Sequence, residues 1–259
     1  MSTQNGLVNG SNMCYRNSVV QCLIALPAIQ EHLENTDMAD DDGLCRMLRT
    51  VLILFQQQNQ AVDIETDIHF GGIPADILRI GSDFDQMDVN EYFVNILEHP
   101  HGKPIRDMFV MGLFEVDVFG SENGPHKTRR SITEMVYMRV LANDNITENH
   151  FLKHQVSMLE CNTQKTDYAF PMNNPLLLCV SIGTPKAAMR ITEKILVEHV
   201  RIPAQAALRG VVEYRLFGTI FRNSADHVRG GHYVACVLND VHGWMCHVSG
   251  RAPHPPCVV

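Results

Sequence analysis

An α+β fold is predicted by three features of the 259-residue sequence. Apolar residues recur at helical spacing through roughly the first hundred positions, the remainder reads as short alternating or apolar runs, and no internal repeat divides the chain. Hydrophobic residues make up 45% and charged residues 19%, the balance of an ordinary globular protein with ample length for a buried core. Helices first and strands later suggest a helical lobe set against a sheet lobe.

The first helix is expected after Cys14, where Val19, Val20, Leu23 and Leu26 recur at helical spacing until Pro27 ends the run. A second should follow Asp40, Asp41 and Asp42, acids that suit the positive end of a helix dipole. Its inner face would be Leu44, Met47, Leu48, Val51, Leu52 and Phe55. A third is expected from about Gln86 to Glu98, with Val89, Tyr92, Phe93, Ile96 and Leu97 turned inward and Ser82, Asp83 or Asp85 as cap. The prolines between Pro100 and Pro104 mark the weakest linker. Strands are expected over Phe114 to Phe119, Met135 to Leu141, Leu176 to Ile182, Tyr214 to Phe221 and His232 to Leu238. A last strand, Trp244 to Val248, should follow a turn over Asn239 to Gly243.

The net charge of -8, without a stripe of Lys and Arg, argues against nucleic acid as a partner. No apolar stretch is long enough to span a bilayer, so no membrane partner is expected. The eight cysteines are scattered, with none in a CxxC pair. That argues against a zinc ribbon and against a disulfide framework, so the expectation is no metal, free thiols, and a cytoplasmic or nuclear setting.

Two segments carry chemistry. In Asn9-Gly10-Ser11-Asn12-Met13-Cys14-Tyr15-Arg16-Asn17-Ser18, small and polar residues lead to a cysteine at the start of a helix. A helix N-terminus favours an anion, hence a thiolate nucleophile, and nearby asparagines can donate to a developing oxyanion. Taken alone, this segment is better read as an ordinary buried cysteine opening a helix. In Gly230-Gly231-His232-Tyr233-Val234, two glycines precede a strand that opens with a histidine, which can present one ring nitrogen to a thiol.

Together the two segments resemble the boxes of the ubiquitin-specific proteases, papain-like cysteine deubiquitinases. Their Cys box, G-L-x-N-x-G-N-T-C-Y-x-N-S-x-x-Q, is matched by Gly6, Leu7, Asn9, Asn12, Cys14, Tyr15, Asn17, Ser18 and Gln21, with Ser11 and Met13 replacing Gly and Thr. A middle box, Q-Q-D-x-x-E-F, resembles Gln86-Met87-Asp88-Val89-Asn90-Glu91-Tyr92. The His box, G-G-H-Y, matches Gly230 to Tyr233, preceded by the strand-like Tyr214 to Ile220 and followed by Trp244. The boxes stand in family order across nearly the whole chain.

The resemblance implies a papain-like α+β fold and a single catalytic domain over residues 1–259. Its parts would be a helical thumb at 1–105, reduced fingers and part of the palm at 106–185, and the palm with the His box at 186–259. It implies hydrolysis at the C-terminal glycine of ubiquitin or a ubiquitin-like modifier, with no cofactor. Cys14 would be the nucleophile, His232 the base, and Asn9 the oxyanion donor with Asn12 as second candidate. Asp88 and Glu91 would receive the arginine-bearing tail of ubiquitin, flanked by Gln86 and Tyr233. Three departures stand out. Val248 and Ser249 occupy the positions of the usual triad acid, leaving Ser249 as the orienter ahead of Asp240 and His247. Only Cys161 remains of the two CxxC pairs of the finger, too few for a structural zinc site. The chain is also close to the smallest expected for this fold. The first two favour an alternative, a catalytically weak ubiquitin-binding module drawn from the same family.

Overall fold

The computed structural model describes residues 6–9, 12–37, 43–57, 61–67, 78, 87–120, 127–140, 154–160, 163–171, 175–182, 193–201, 208–227, 230–239 and 243–247. The chain divides into two compact units, one built from residues 1–106 and 217–259 and the other from 107–216.

The first unit begins with helix α1, Cys14–Ala25, and ten of its twelve residues are buried. A helix buried around nearly its whole circumference is a core helix, and this one buries polar Arg16, Asn17, Ser18 and Gln21 along with its apolar residues. Leu26 is extended, and Pro27 then opens a further helix, α2, Pro27–Asn35. The first helix ends before Pro27, as expected, and the proline then occupies a first-turn position of α2, where its missing N–H is no loss and its fixed φ favours the helix. Helix α3, Gly43–Gln57, buries all six residues of the expected inner face. Its Arg49 reaches back to the end of α2, where Nε and Nη2 donate to Leu33 O and Nη2 also donates to Thr36 O over 2.8 Å. Those carbonyls would otherwise be orphans of the helix end.

A one-turn helix, α4, Ile64–Asp67, follows a parallel bridge between Leu7 and Val62. Helix α5, Val89–Glu98, buries Tyr92, Phe93, Ile96 and Leu97. It starts three residues later than Gln86, and its cap is Asp88; Ser82, Asp83, Asp85 and Gln86 lie outside the described residues. The expected linker at Pro100 to Pro104 is instead a 3-10 turn, Pro100–Gly102, running into helix α6, Lys103–Phe109. Gly102 is required there, because any Cβ would overlap the backbone oxygen of Ile96.

The second unit holds an antiparallel sheet of β1, Met111–Gly120, β2, Lys127–Met135, β4, His154–Glu160, and β5, Thr163–Pro171, in the order β2-β1-β5-β4. Strand β3, Met138–Val140, pairs in parallel with β6, Val180–Ile182. Strand β7, Lys194–Arg201, pairs antiparallel with β8, Leu208–Arg215. Two expected strands are therefore divided: Met135 to Leu141 breaks at Val136 and Tyr137, and Tyr214 to Phe221 breaks at Leu216 and Phe217. Leu176 to Ile182 shortens to its last three residues.

The chain returns to the first unit with a three-stranded sheet in the order β11-β10-β9, made of β9, Gly218–His227, β10, Gly230–Asn239, and β11, Gly243–His247. Gly243, at φ 71, supplies the left-handed residue that opens β11. Helix α1 lies against β10. The expectation of free thiols is corrected in this sheet, where Cys236 and Cys246 form a disulfide. They are ten residues apart in sequence, but the antiparallel register sets them directly opposite, with Cα atoms 4.1 Å apart. Among the described residues, Cys14, Cys22, Cys45 and Cys179 stand outside any disulfide.

Candidate active site

Cys14 is the first residue of α1 and is buried. The residue before it, Met13, makes no side-chain cap, and the first turn of α1 carries no acidic residue. Asn12 sits at φ 55, a left-handed conformation that asparagine tolerates better than most side chains, and its own side chain is exposed. That turn leads directly into the helix.

His232 lies near the start of β10, beyond a register shift between Gly230 and His232. The amide of Tyr233 donates to Cys14 Sγ over 3.4 Å. The peptide that joins His232 to Tyr233 is therefore packed against the sulfur, although Tyr233 lies 219 positions after Cys14 in sequence.

The Tyr233 phenol donates to Asp88 Oδ2 over 3.5 Å. Burial, and next the Asp88 carboxylate, hold the phenol above its ordinary pKa, with the Arg222 guanidinium among the groups pulling the other way. Arg222 stands 5.8 Å over the Tyr233 ring, a cation–π distance. Asp88 is the N-cap of α5, and its Oδ1 accepts from Asn90 N at 2.9 Å and Glu91 N at 3.3 Å. Asp88 and Glu91 are both exposed, a geometry open to a cationic partner.

Asn9 is partly buried, and its Oδ1 has no hydrogen-bond partner among the described residues. A half-turn of the amide would put the donor nitrogen at that point. Gln86, Ser249 and Asp240 lie outside the described residues. His247 is described and buried, but the register pairs it with Ala235. Paired residues share a face and successive residues alternate, so His247 lies on the face opposite to that of His232 and is a poor orienter of its ring. Among the described residues no group of three or more His, Cys, Asp or Glu could hold a metal ion, and no helix is long and apolar enough to cross a membrane.

Two residues escaped the sequence reading. Arg222 gave no local signal, because only the β9–β10 register brings it to Tyr233. Arg16 stands at an unspecified position of the Cys box, yet it is 1% exposed and forms an ion pair with Glu65 at 3.7 Å. A buried cation in the first turn of a helix is unexpected on dipole grounds, and only the tertiary partner explains it.

A cysteine at a helix N-terminus, set against a histidine-bearing strand of a sheet, defines the papain-like class of thiol hydrolases. The profile described as "Ubiquitin carboxyl-terminal hydrolase" matches residues 5–248, and the chain belongs to that family. Its fold is the α+β, papain-like fold of the ubiquitin-specific proteases. A solved structure titled "Structure of the SAGA Ubp8/Sgf11/Sus1/Sgf73 DUB module bound to ubiquitin aldehyde" superposes with a TM-score of 0.65 at 15% identity, covering 99% of this chain and 66% of that one. The chain is also similar to "Ubiquitin carboxyl-terminal hydrolase 36" of Drosophila erecta, 38% identical over 66 residues. That match covers 22% of this chain and 6% of the relative's length.

Proposed function

We propose that this chain is a thiol-dependent deubiquitinase that cleaves isopeptide or peptide bonds at the C-terminal glycine of ubiquitin or a ubiquitin-like modifier. The observation that carries the reading is the Tyr233 amide against Cys14 Sγ at 3.4 Å, which sets the His box on the Cys box within a chain of this family. Cys14 Sγ attacks the glycine carbonyl, and His232 takes the thiol proton. The C–N bond then breaks as His232 protonates the leaving amine, and water hydrolyses the remaining thioester. Asn9 donates to the oxyanion of each tetrahedral intermediate, with Ser249 as the ring orienter. Asp88 and Glu91, backed by Gln86, Asn12 and Tyr233, receive the cationic tail of the modifier. The single-domain division into thumb, reduced fingers and palm at 1–105, 106–185 and 186–259 belongs to the same proposal. So does a cytoplasmic or nuclear setting, where such conjugates occur.

The test is reaction with ubiquitin carrying a C-terminal electrophile, beside matching probes for ubiquitin-like modifiers. Wild-type protein is expected to form a covalent adduct with one of them, and Cys14→Ala none. A folded wild-type protein that binds ubiquitin but labels with no probe would instead support a non-catalytic binding module.

A further inference from the structure

We propose that Asn17 is a positioning residue that fixes the backbone bearing Asn9 relative to Cys14. The inference rests on the function proposed above, in which Asn9 is the oxyanion donor.

Asn17 lies on α1 three residues after Cys14 and is 0% exposed. A polar side chain so deeply buried must find partners. Its Nδ2 donates to Val8 O over 2.8 Å, and its Oδ1 accepts from Arg16 Nε over 3.4 Å. A guanidinium only donates, so the amide has one permitted orientation: oxygen toward Arg16, nitrogen toward the Val8 carbonyl. Arg16 is held in turn by Glu65 at 3.7 Å and by Leu78 O at 3.5 Å.

The other side of the same segment is fixed by backbone pairing. Val8 N donates to Val62 O over 2.9 Å, and Val62 N donates to Gly6 O over 3.1 Å. Val62 and Glu65 belong to one short stretch, so the residues around α4 grip both the segment and, through Arg16, the amide that holds it. The Val8 carbonyl and the Asn9 N–H share a planar peptide unit. Fixing that oxygen fixes the plane from which Asn9 departs, leaving only its own torsions free. Because Asn17 and Cys14 ride on one helix, the bond refers the oxyanion donor to the nucleophile. Removing an oxyanion donor costs about 10²–10³ in kcat, and a displacement of about 1 Å can cost about 10².

The experiment is a double-mutant cycle in kcat and KM on a fluorogenic ubiquitin substrate, with Asn9→Ala, Asn17→Ala and the pair. Asn17→Asp joins the set, because it keeps the volume and the Arg16 contact but loses the donor. Each Asn17 variant is expected to lower kcat by about tenfold to hundredfold with KM little changed. In the Asn9→Ala background the same change is expected to cost almost nothing, since a residue acting through Asn9 has nothing left to position. Fully additive losses would overturn the inference. Amide hydrogen exchange over residues 6–9 tests the tether without activity, and it should quicken in Asn17→Asp while the rest of α1 stays protected. Unchanged exchange there also overturns the inference. A wild-type protein inactive on every substrate, with quickened exchange in the variant, would sink the proposed function and support the tether.

Discussion

Replacing Asp88 by alanine and by asparagine separates a capping role from a charge role, because the two replacements share only the loss of the carboxylate. Asp88 Oδ1 accepts from Asn90 N and Glu91 N, which are orphan donors of the first turn of α5. Alanine loses both bonds and should destabilise the protein by about 1 kcal/mol. Asparagine caps about as well as aspartate, so its cost should be a few tenths of a kcal/mol from the dipole alone. About 1 kcal/mol moves the melting temperature of a chain this long by roughly 2–4 °C. For the proposed tail contact, a hydrogen bond to a charged group contributes about 1.5–3 kcal/mol. Asp88 is exposed, so the low end applies, or about a tenfold weaker Kd. Both replacements should lose it, and the loss should shrink at high salt. The assay is a thermal melt beside ubiquitin binding by fluorescence anisotropy at low and high salt, each change carried in Cys14→Ala protein. A melt of Asp88→Asn lowered as far as that of Asp88→Ala would refute the capping argument. Unchanged ubiquitin affinity of both at low salt would refute the charge argument.

Gly102→Ala should cost about 2–3 kcal/mol, since the new methyl meets the Ile96 carbonyl and the backbone must shift; a thermal melt within 2 °C of wild type would contradict the close approach. Arg49→Ala removes the bonds to Leu33 O and Thr36 O and should cost about 1–2 kcal/mol, read from the denaturant midpoint with an unchanged slope. In hydrolysis of a fluorogenic ubiquitin substrate, Ser249→Ala is expected to cost less than His232→Ala, because an orienter tunes the imidazole while the base moves the proton. If Ser249→Ala leaves the rate untouched, the orienter is another group, and Asp240 is the next to replace.

The helices were legible where burial is one-sided. The stripe of α3 from Leu44 to Phe55 needs only the 3.6-residue period, and the structure buries all of it. Helix α2 was missed because Pro27 both ends the run of α1 and opens a new helix, and only the first of these was read. Strands β2 and β4 are the edges of their sheet, and runs such as Lys127-Thr128-Arg129-Arg130-Ser131 hide alternation behind polar side chains. Within the candidate site, Cys14, His232 and Asp88 stood out because each sits in a compact motif. The Glu65–Arg16 pair and the Cys236–Cys246 bond join positions whose separations carry no local pattern, so only the folded register reveals them.

The described candidate residues come from positions 9–14, 88–91 and 232–233, and all belong to one compact unit. Helix α1 is what joins them, and its burial has a consequence for the chemistry. A surface helix could shift against its neighbours at little cost. A helix with ten of twelve residues buried is fixed by close packing on every side, so its first residue is fixed as well. Tyr15 meets Tyr92 of α5 edge to face, with ring centroids 5.3 Å apart, and Asn17 holds the segment before Asn9. The turn of α1 that carries Cys14 thus touches the capped helix and the asparagine segment at once, while the sulfur itself meets β10. Precision of this kind is what a site for transition-state stabilisation requires, and here the core supplies it.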